Sequence, residues 1–213
     1  MKIKTLLRPL AVICLVAIGS AGSLGLFEAN SDIGTGLQPG ALEFDAGAYH
    51  VTGGGADMWG NADAFHFVWK KMSGDVSLTA EVKLLAGSTQ EKRKAALMIR
   101  QSLDANSAYV DIAFHGNGEV AAQWRMAAGE ATADSVLPHF LDAGRAQRIH
   151  IERHGDTFTV SAGDPGGPRA ETGHVTVNFQ DPVYVGFAVC SHDAAGLTKA
   201  VFSHVAMKGR SAN

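Results

Sequence analysis

Cysteine is scarce in this sequence, which contains only Cys14 and Cys190. Cys14 lies in an apolar N-terminal run, so removal of that run would leave Cys190 alone and no intramolecular disulfide could form. Long apolar runs are also missing: the longest, from Leu10 to Ile18, is well short of the about 20 residues that span a bilayer. We therefore expect a fold stabilised by its hydrophobic core, without disulfides or a membrane-spanning helix.

The N-terminal segment has the order of a secretory signal peptide. Lys2, Lys4 and Arg8 precede the apolar run, and the small residues GSAGS follow it. We predict a signal peptide over residues 1–23, with the mature chain starting near Gly22 to Gly25. The predicted location is secreted or periplasmic, with no membrane contact after cleavage.

Without the predicted signal peptide (the leader), the chain has fewer basic than acidic residues. The leader holds three of the 18 Lys and Arg residues and none of the 21 Asp and Glu residues, so the remainder carries 15 − 21 = −6. Nucleic acids and anionic membranes require clustered Lys and Arg, so neither is expected as a partner. We predict one domain over residues 27–208, followed by a short tail at 209–213.

Convincing amphipathic helices are also lacking. Short alternating runs such as SAYVDIAFH and QRIHIER are separated by turn sequences such as HGNGE, HGD and DPGGP. This spacing predicts an all-β, antiparallel sandwich of two sheets. EKRKAALMIRQSL (91–103) is ambiguous, because its residues favour a helix while its continuous apolar block also suits a buried strand.

Three sequence segments, WGNADAFHFVWKKMSGDVSLTAEV, RKAALMIRQSLDANSAYVDIAFHGNG and PVYVGFAVCSHD, resemble a family of exported bacterial domains. That family has a concanavalin A/laminin G-like jelly-roll fold and mostly unassigned function. Its domains occur alone, beside Tol-type β-propellers or attached to glycoside hydrolases. The resemblance covers about residues 27–207 and implies a jelly roll in which KAALMIRQS is a strand.

Alternation along the strands assigns side chains to two faces. Val110, Ile112 and Phe114 form one face of their strand, and we expect them in the core. In AFHFVWKK we likewise expect Phe65, Phe67 and Trp69 in the core. The opposite faces combine small residues with strong hydrogen-bonding groups, which suits a concave ligand-binding sheet. The candidate ligand-binding residues on these faces are His66, Arg100, Asp111, Gln123, Arg125 and His192.

Arg100 and Asp111 lie on successive predicted strands. They are expected to form a charge-assisted pair. The pair could orient groups for a ligand or could serve the fold alone, and the sequence leaves both alternatives open.

Trp59 is the candidate stacking platform. It lies in the glycine-rich stretch GGGADMWG, which lacks the Lys and the following helix of a phosphate-binding loop. An exposed Trp among polar side chains is typical of carbohydrate sites, although Trp59 could instead cap the core. Tyr184 is a second candidate for stacking.

No cofactor is expected. Calcium is the weaker alternative, because Asp57, Asn61 and Asp63 offer three oxygen-bearing side chains without the spacing of an EF-hand. The histidines are scattered and do not form a zinc pattern.

A catalytic constellation is not evident. No strand carries the alternating carboxylates of a laminarinase-type jelly roll, and no G-x-S-x-G motif occurs. Cys190 and His192 have the residue types of a thiol nucleophile and base, but a buried structural Cys is the commoner arrangement. The favoured function is therefore binding of a carbohydrate or another polar small ligand. The alternatives are a glycan-cleaving enzyme using Asp111 with His66 or His192, and a non-catalytic protein-interaction module of the envelope.

Overall fold

The protein is an all-β jelly-roll sandwich. The computed structural model describes residues 23–86, 88–136, 141–167 and 170–212; the predicted signal peptide falls almost wholly outside these ranges. The strands are β1 (Ala29–Ile33), β2 (Ala41–Asp45), β3 (Ala48–Gly55), β4 (Met58–Trp59), β5 (Ala62–Asp63), β6 (Phe65–Leu84), β7 (Lys94–Arg100), β8 (Tyr109–His115), β9 (Val120–Arg125), β10 (Ala133–Val136), β11 (Gln147–His154), β12 (Thr157–Gly163), β13 (Ala170–Thr176), β14 (Val183–Cys190) and β15 (Asp193–Ser211). Among the described residues, no helix is long and apolar enough to cross a membrane.

The two layers share the long strand β6. Its first part pairs with β14 and β1, which gives a first layer ordered β10-β9-β8-β7-β14-β6-β1. Its second part pairs with β11 and β15, and the second layer is ordered β13-β12-β11-β6-β15-β3-β2. Gly74 has a φ of 73° between the two parts, a conformation that favours glycine at such a bend.

The main core fills the space between the layers. The first layer contributes Val110, Ile112 and Phe114, as predicted, and the second contributes residues such as Leu78 and Phe202. Phe187 stacks on Phe202 across the core, with ring centroids 4.1 Å apart. Burial of these large side chains supplies most of the driving force for folding.

A second apolar cluster covers the other face of the first layer, which we call the outer face. It contains Phe65 and Phe67, which are buried as predicted, with Trp69 packed against it. These residues do not face the main core between the layers, so the assignment of their strand face is wrong. Directly paired residues of antiparallel strands share a face. Phe67 pairs with Ala188, whereas Val68 pairs with Phe187 of the main core. The aromatic residues were assigned to the wrong face because the outer face is itself buried.

Several local expectations can also be compared with the structure. Segment 91–103 contains strand β7, as the resemblance implied and helix propensity did not. Strands β1, β2, β4, β5 and β10 were not anticipated. Strand β15 continues to Ser211, past the predicted domain end at 208, because Arg210 and Ser211 pair with Ser73 and Met72.

Candidate functional site

A short hairpin of β4 and β5 lies over the outer face of the first layer. Gly60 and Asn61 form its two-residue turn, and Gly60 has a φ of 62°. The hairpin is attached to the sheet through its backbone. Tyr109 Oη donates to the Met58 carbonyl at 3.2 Å, and the Thr132 amide donates to the Gly60 carbonyl at 2.8 Å. The hairpin thereby positions Asp57, Trp59 and Asp63 above the strands.

Arg125 forms the strongest of these attachments. Its guanidinium donates to both carboxylate oxygens of Asp63, at 2.6 and 3.0 Å. It also donates to the carbonyls of Gly60 and Ser107, and it lies 4.9 Å from the ring centroid of Tyr109. Both ionic side chains are fully buried, so Arg125 is a structural clamp with no surface open to a ligand.

Arg100 completes the same buried cluster. It donates at 2.6 Å to the carbonyls of Ser102 and Asp104, and it approaches Asp63 Oδ2 at 3.5 Å. Burial lowers the pKa of Arg100 to about 10, so the guanidinium stays charged at neutral pH. We call Asp63, Arg100 and Arg125 the arginine cluster. Its donors hold the hairpin and the 102–107 loop.

Asp111 is fully buried on the outer face and does not pair with Arg100. Neither carboxylate oxygen has a hydrogen-bond partner among the described residues. The expected pair fails because of register: Arg100 stands opposite Tyr109, and Asp111 stands opposite Met98. Burial raises the pKa of Asp111 well above its usual range. Burial in this position therefore favours the neutral form of the carboxyl over the ionised form.

His66 lies apart from the other predicted site residues. It stands opposite Val189 of the main core, so its side chain is on the inner side of the first layer. Its Nδ1 lies 2.7 Å from Asp32 Oδ1, and a Cβ on Gly40 would collide with the imidazole. The prediction that His66 shares a face with Arg100 and Asp111 is therefore wrong, for the same reason that misplaced Phe65 and Phe67.

A pocket of about 270 Å³ opens beside the hairpin, over the ends of β7, β8 and β9. Three of the predicted residues line it: Trp59, Gln123 and His192. Trp59 is 38% exposed, which contradicts the alternative that it caps the core. The full lining is Asp57, Trp59, Lys92, Lys94, His115, Glu119, Gln123, Asp134 and His192.

Asp57 contacts the side chains of Lys94 and His192 on one side of the pocket. Its Oδ1 accepts from Lys94 Nζ, and its Oδ2 lies 3.2 Å from His192 Nε2. The Lys94 ammonium also lies 5.8 Å from the centroid of the Trp59 ring, within cation–π range. His192 has a φ of 56°, rare for a residue other than glycine, where the chain leaves β14. These contacts fix the orientation of both the carboxylate and the aromatic platform.

His115 and Glu119 form the opposite side. Lys92 Nζ donates to both oxygens of Glu119, at 2.7 and 2.8 Å. His115 Nδ1 lies 3.2 Å from the Glu119 carbonyl. Burial, assisted by the nearby Lys94 ammonium, lowers the pKa of His115 to about 4. The imidazole is therefore neutral at physiological pH.

Sequence reasoning missed several pocket residues although the signal was present. Lys94 is an even number of positions from Arg100 on β7, and His115 is an even number of positions from Asp111 on β8. Strand alternation therefore already placed both residues on the outer face. Asp57 was considered as a calcium ligand and as a polar neighbour of Trp59. Its carboxylate binds Lys94, and that of Asp63 binds Arg125, so the predicted calcium donors already have cationic partners. No other grouping of His, Cys, Asp and Glu suited to a metal occurs within the described ranges.

The two remaining candidates lie outside the pocket. Tyr184 packs edge-to-face on Trp69, with ring centroids 5.1 Å apart. Cys190 is completely buried, and desolvation raises the pKa of its thiol to about 12. A thiol in this state is a poor nucleophile, so Cys190 and His192 do not form a catalytic pair.

No protein-family model matches the sequence, and a search of curated proteins gave no match either. Solved structures resemble it in fold. A functionally unknown protein from Saccharomyces cerevisiae has a TM-score of 0.64 at 11% identity, covering 81% of this chain and 93% of its own. Carbohydrate binding module CBM66 from Bacillus subtilis has a TM-score of 0.59 at 13% identity, covering 86% and 98%. Alginate lyase A1-II′, a polysaccharide lyase of family 7, has a TM-score of 0.56 at 12% identity, covering 80% and 84%. The chain thus has a concanavalin A-like jelly-roll fold.

Proposed function

We propose that this protein binds carbohydrate in the pocket beside Trp59, without cleaving it. The observation that carries the proposal is the partly exposed Trp59 ring at a 270 Å³ cavity lined almost entirely by polar side chains. Sugar rings combine apolar C–H faces with hydroxyl groups, and such a surface offers partners for both. The proposal is supported by the fold similarity to CBM66, whereas fold similarity alone would not assign a function.

The lining gives each side chain a role. Trp59 is the platform against which the sugar ring stacks. Asp57 and Gln123 accept hydrogen bonds from hydroxyl groups, and Lys94 donates to a ring or hydroxyl oxygen. The volume lies below the roughly 300–1,000 Å³ of pockets for drug-sized ligands, so it suits one sugar unit or the end of a chain.

The arginine cluster supports the pocket from beneath. Arg100 and Arg125 contact no ligand in this proposal, because their guanidinium groups are buried and bonded to Asp63 and to loop carbonyls. They hold the hairpin that carries Trp59. A preformed platform reduces the entropy that binding would otherwise cost.

We further propose that the protein acts outside the cytoplasm, as a secreted or periplasmic protein. Support comes from Lys2, Lys4 and Arg8 ahead of the apolar run, and from the small residues after it. N-terminal sequencing of protein from the exporting host tests this: a start near Gly22 to Gly25 is expected, and an intact N-terminus in the cytoplasm contradicts it.

Catalysis through Asp111 gains no support from the geometry. Asp111 is fully buried; of its two candidate partners, His66 lies on the opposite side of the sheet, whereas His192 lines the pocket. A general acid must reach the glycosidic oxygen, which the buried Asp111 carboxyl does not.

The test is a glycan array probed with wild-type protein and with Trp59→Ala. We expect a defined set of bound glycans for the wild type and at least about a fivefold loss of affinity for Trp59→Ala. The expected loss takes as its scale the about 1–3 kcal/mol known for stacking of a nucleic-acid base on an aromatic ring. Leu197→Ala, which removes another exposed apolar side chain away from the pocket, is the matched control and should bind normally.

A blank array with correctly folded wild-type protein would contradict carbohydrate binding and favour a protein-interaction role. Release of shortened glycans during the incubation would contradict the non-catalytic part of the proposal.

A further inference from the structure

The charges lining the pocket are unequal. Carboxylates are contributed by Asp57, Glu119 and Asp134, and ammonium groups by Lys92 and Lys94. With histidines counted as neutral, three negative charges face two positive ones. Both ammonium groups are already bound within the pocket, Lys92 by Glu119 and Lys94 by Asp57. The pocket therefore has no unpaired cation to offer an acidic ligand.

Asp134 is the third carboxylate of the pocket, after Asp57 and Glu119. In the part of the chain that the structure describes, it has neither an ion-pair nor a hydrogen-bond partner, and it projects from the edge strand β10 into the pocket lining. β10 is held close to the Trp59 hairpin, because the Thr132 amide just before the strand bonds to the Gly60 carbonyl. The free negative charge thus lies on the same side of the pocket as the aromatic platform.

Gln123 is an independent indication of a ligand. It lines the pocket, is only 3% exposed, and its Oε1 has no hydrogen-bond partner among the described residues. A buried acceptor without a donor destabilises the folded protein, so an occupant that donates a hydrogen bond to it would recover that loss. Gln123 stands directly opposite Asp134 in the β9–β10 pairing. Opposed side chains have Cβ atoms about 5 Å apart, so one donor group can contact both.

We propose that the pocket selects sugars that carry a primary ammonium group, of the deacetylated hexosamine type. The ammonium is bound by the Asp134 carboxylate and by Gln123 Oε1, which a rotation of the buried side-chain amide turns toward the pocket, while the sugar ring stacks on Trp59. An ammonium group supplies three donors and one positive charge, which matches an unpaired acceptor and an unpaired carboxylate. The inference rests on the carbohydrate-binding function proposed above and names the class of sugar.

The experiment is a titration with four oligosaccharides of equal length. One carries free amines, the second is the same chain fully N-acetylated, the third is a neutral glucan and the fourth a uronate. Acetylation removes the charge and leaves the rest of the sugar in place, so the first two form a matched pair of ligands. We expect the amine-bearing chain to bind about tenfold more tightly than its acetylated counterpart, the scale of one charge-assisted contact.

Asp134→Asn is the matched protein variant, since it removes the charge and keeps the shape. It should bring the affinity for the amine-bearing chain down to that for the acetylated one. Asp45→Asn on exposed strand β2 removes an equivalent charge in the other layer and should leave the preference intact. Salt at 1 M shortens the screening length to about 3 Å and should reduce the preference.

The outcomes separate the two proposals. Equal binding of all four chains, a preference for the uronate, or an unchanged preference in Asp134→Asn would overturn the amine inference while leaving carbohydrate binding in place. Failure of all four chains, together with a blank glycan array, would overturn carbohydrate binding and the inference with it.

Discussion

The arginine cluster and the pocket lie side by side on the outer face, yet they use charge in opposite ways. In the arginine cluster the ionic side chains are buried and bonded to one another or to backbone carbonyls. In the pocket Trp59 is partly exposed, Asp134 is unpaired and Gln123 Oε1 lacks a donor. The difference shows that polar residues on one sheet face need not form one site. Accessibility and unused hydrogen-bonding capacity distinguish a ligand site from a structural network.

The largest expected effect comes from breaking the arginine cluster. Arg125→Ala leaves the Asp63 carboxylate buried without its bidentate partner and frees the carbonyls of the hairpin. We expect a loss of about 3–5 kcal/mol in the free energy of unfolding, measured by chemical denaturation. Exposed Arg145→Ala is the control and should change stability by less than about 0.5 kcal/mol. Unchanged stability combined with lost sugar binding would instead make Arg125 a ligand contact.

The burial of His115 in the pocket wall can be tested through the pH dependence of protein stability. Its folded-state pKa of about 4 lies below the ordinary value of 6.5, so between these values the unfolded chain binds a proton that the folded protein does not. Stability from this residue is therefore fully present above pH 6.5 and is lost as the pH falls to 4, by roughly 3 kcal/mol. His115→Gln should lack this part of the pH dependence in denaturation curves recorded between pH 4 and 7. A variant with the wild-type profile would show that His115 is accessible to protons in the folded state.

Asp111 is expected to change the free energy of unfolding less than His115 does, and with the opposite dependence on pH. Its folded-state pKa is raised, so the folded protein holds a proton that the unfolded chain releases above pH 3.8. The residue therefore costs stability increasingly as the pH rises above 3.8. Asp111→Asn should stabilise the fold at pH 7, with the gain fading near pH 4. Destabilisation by Asp111→Asn at pH 7, or loss of a glycan-cleaving activity, would indicate that the ionised carboxylate has a function.

Strand alternation predicted more of this architecture than composition or motifs did. It placed Arg100, Asp111, Gln123 and Arg125 on one face, and the structure agrees. It could not show that β4 and β5 fold over that face and bring Asp63 to the arginines, since this contact depends on a tertiary approach of a loop. Phe65 and Phe67 were misassigned because a sheet face covered by a hairpin looks, in sequence, like the main core.

The pocket residues, too, depend on loop contacts that strand alternation does not predict. Lys94 and His115 were on the correct face by parity but have unremarkable neighbours in sequence. Their importance arises from Asp57 and Glu119, which reach them from the hairpin and from the β8–β9 connection. Pairing of this kind becomes visible only when the loops are placed.

The most direct test of the central claim is a crystal structure with the tightest-binding amine-bearing oligosaccharide. The account predicts a sugar ring against Trp59 and an ammonium nitrogen within hydrogen-bond distance of Gln123 Oε1 and the Asp134 carboxylate, with Arg100 and Arg125 still bonded to Asp63. Sugar density elsewhere on the surface, or on the guanidinium groups after displacement of Asp63, would contradict it.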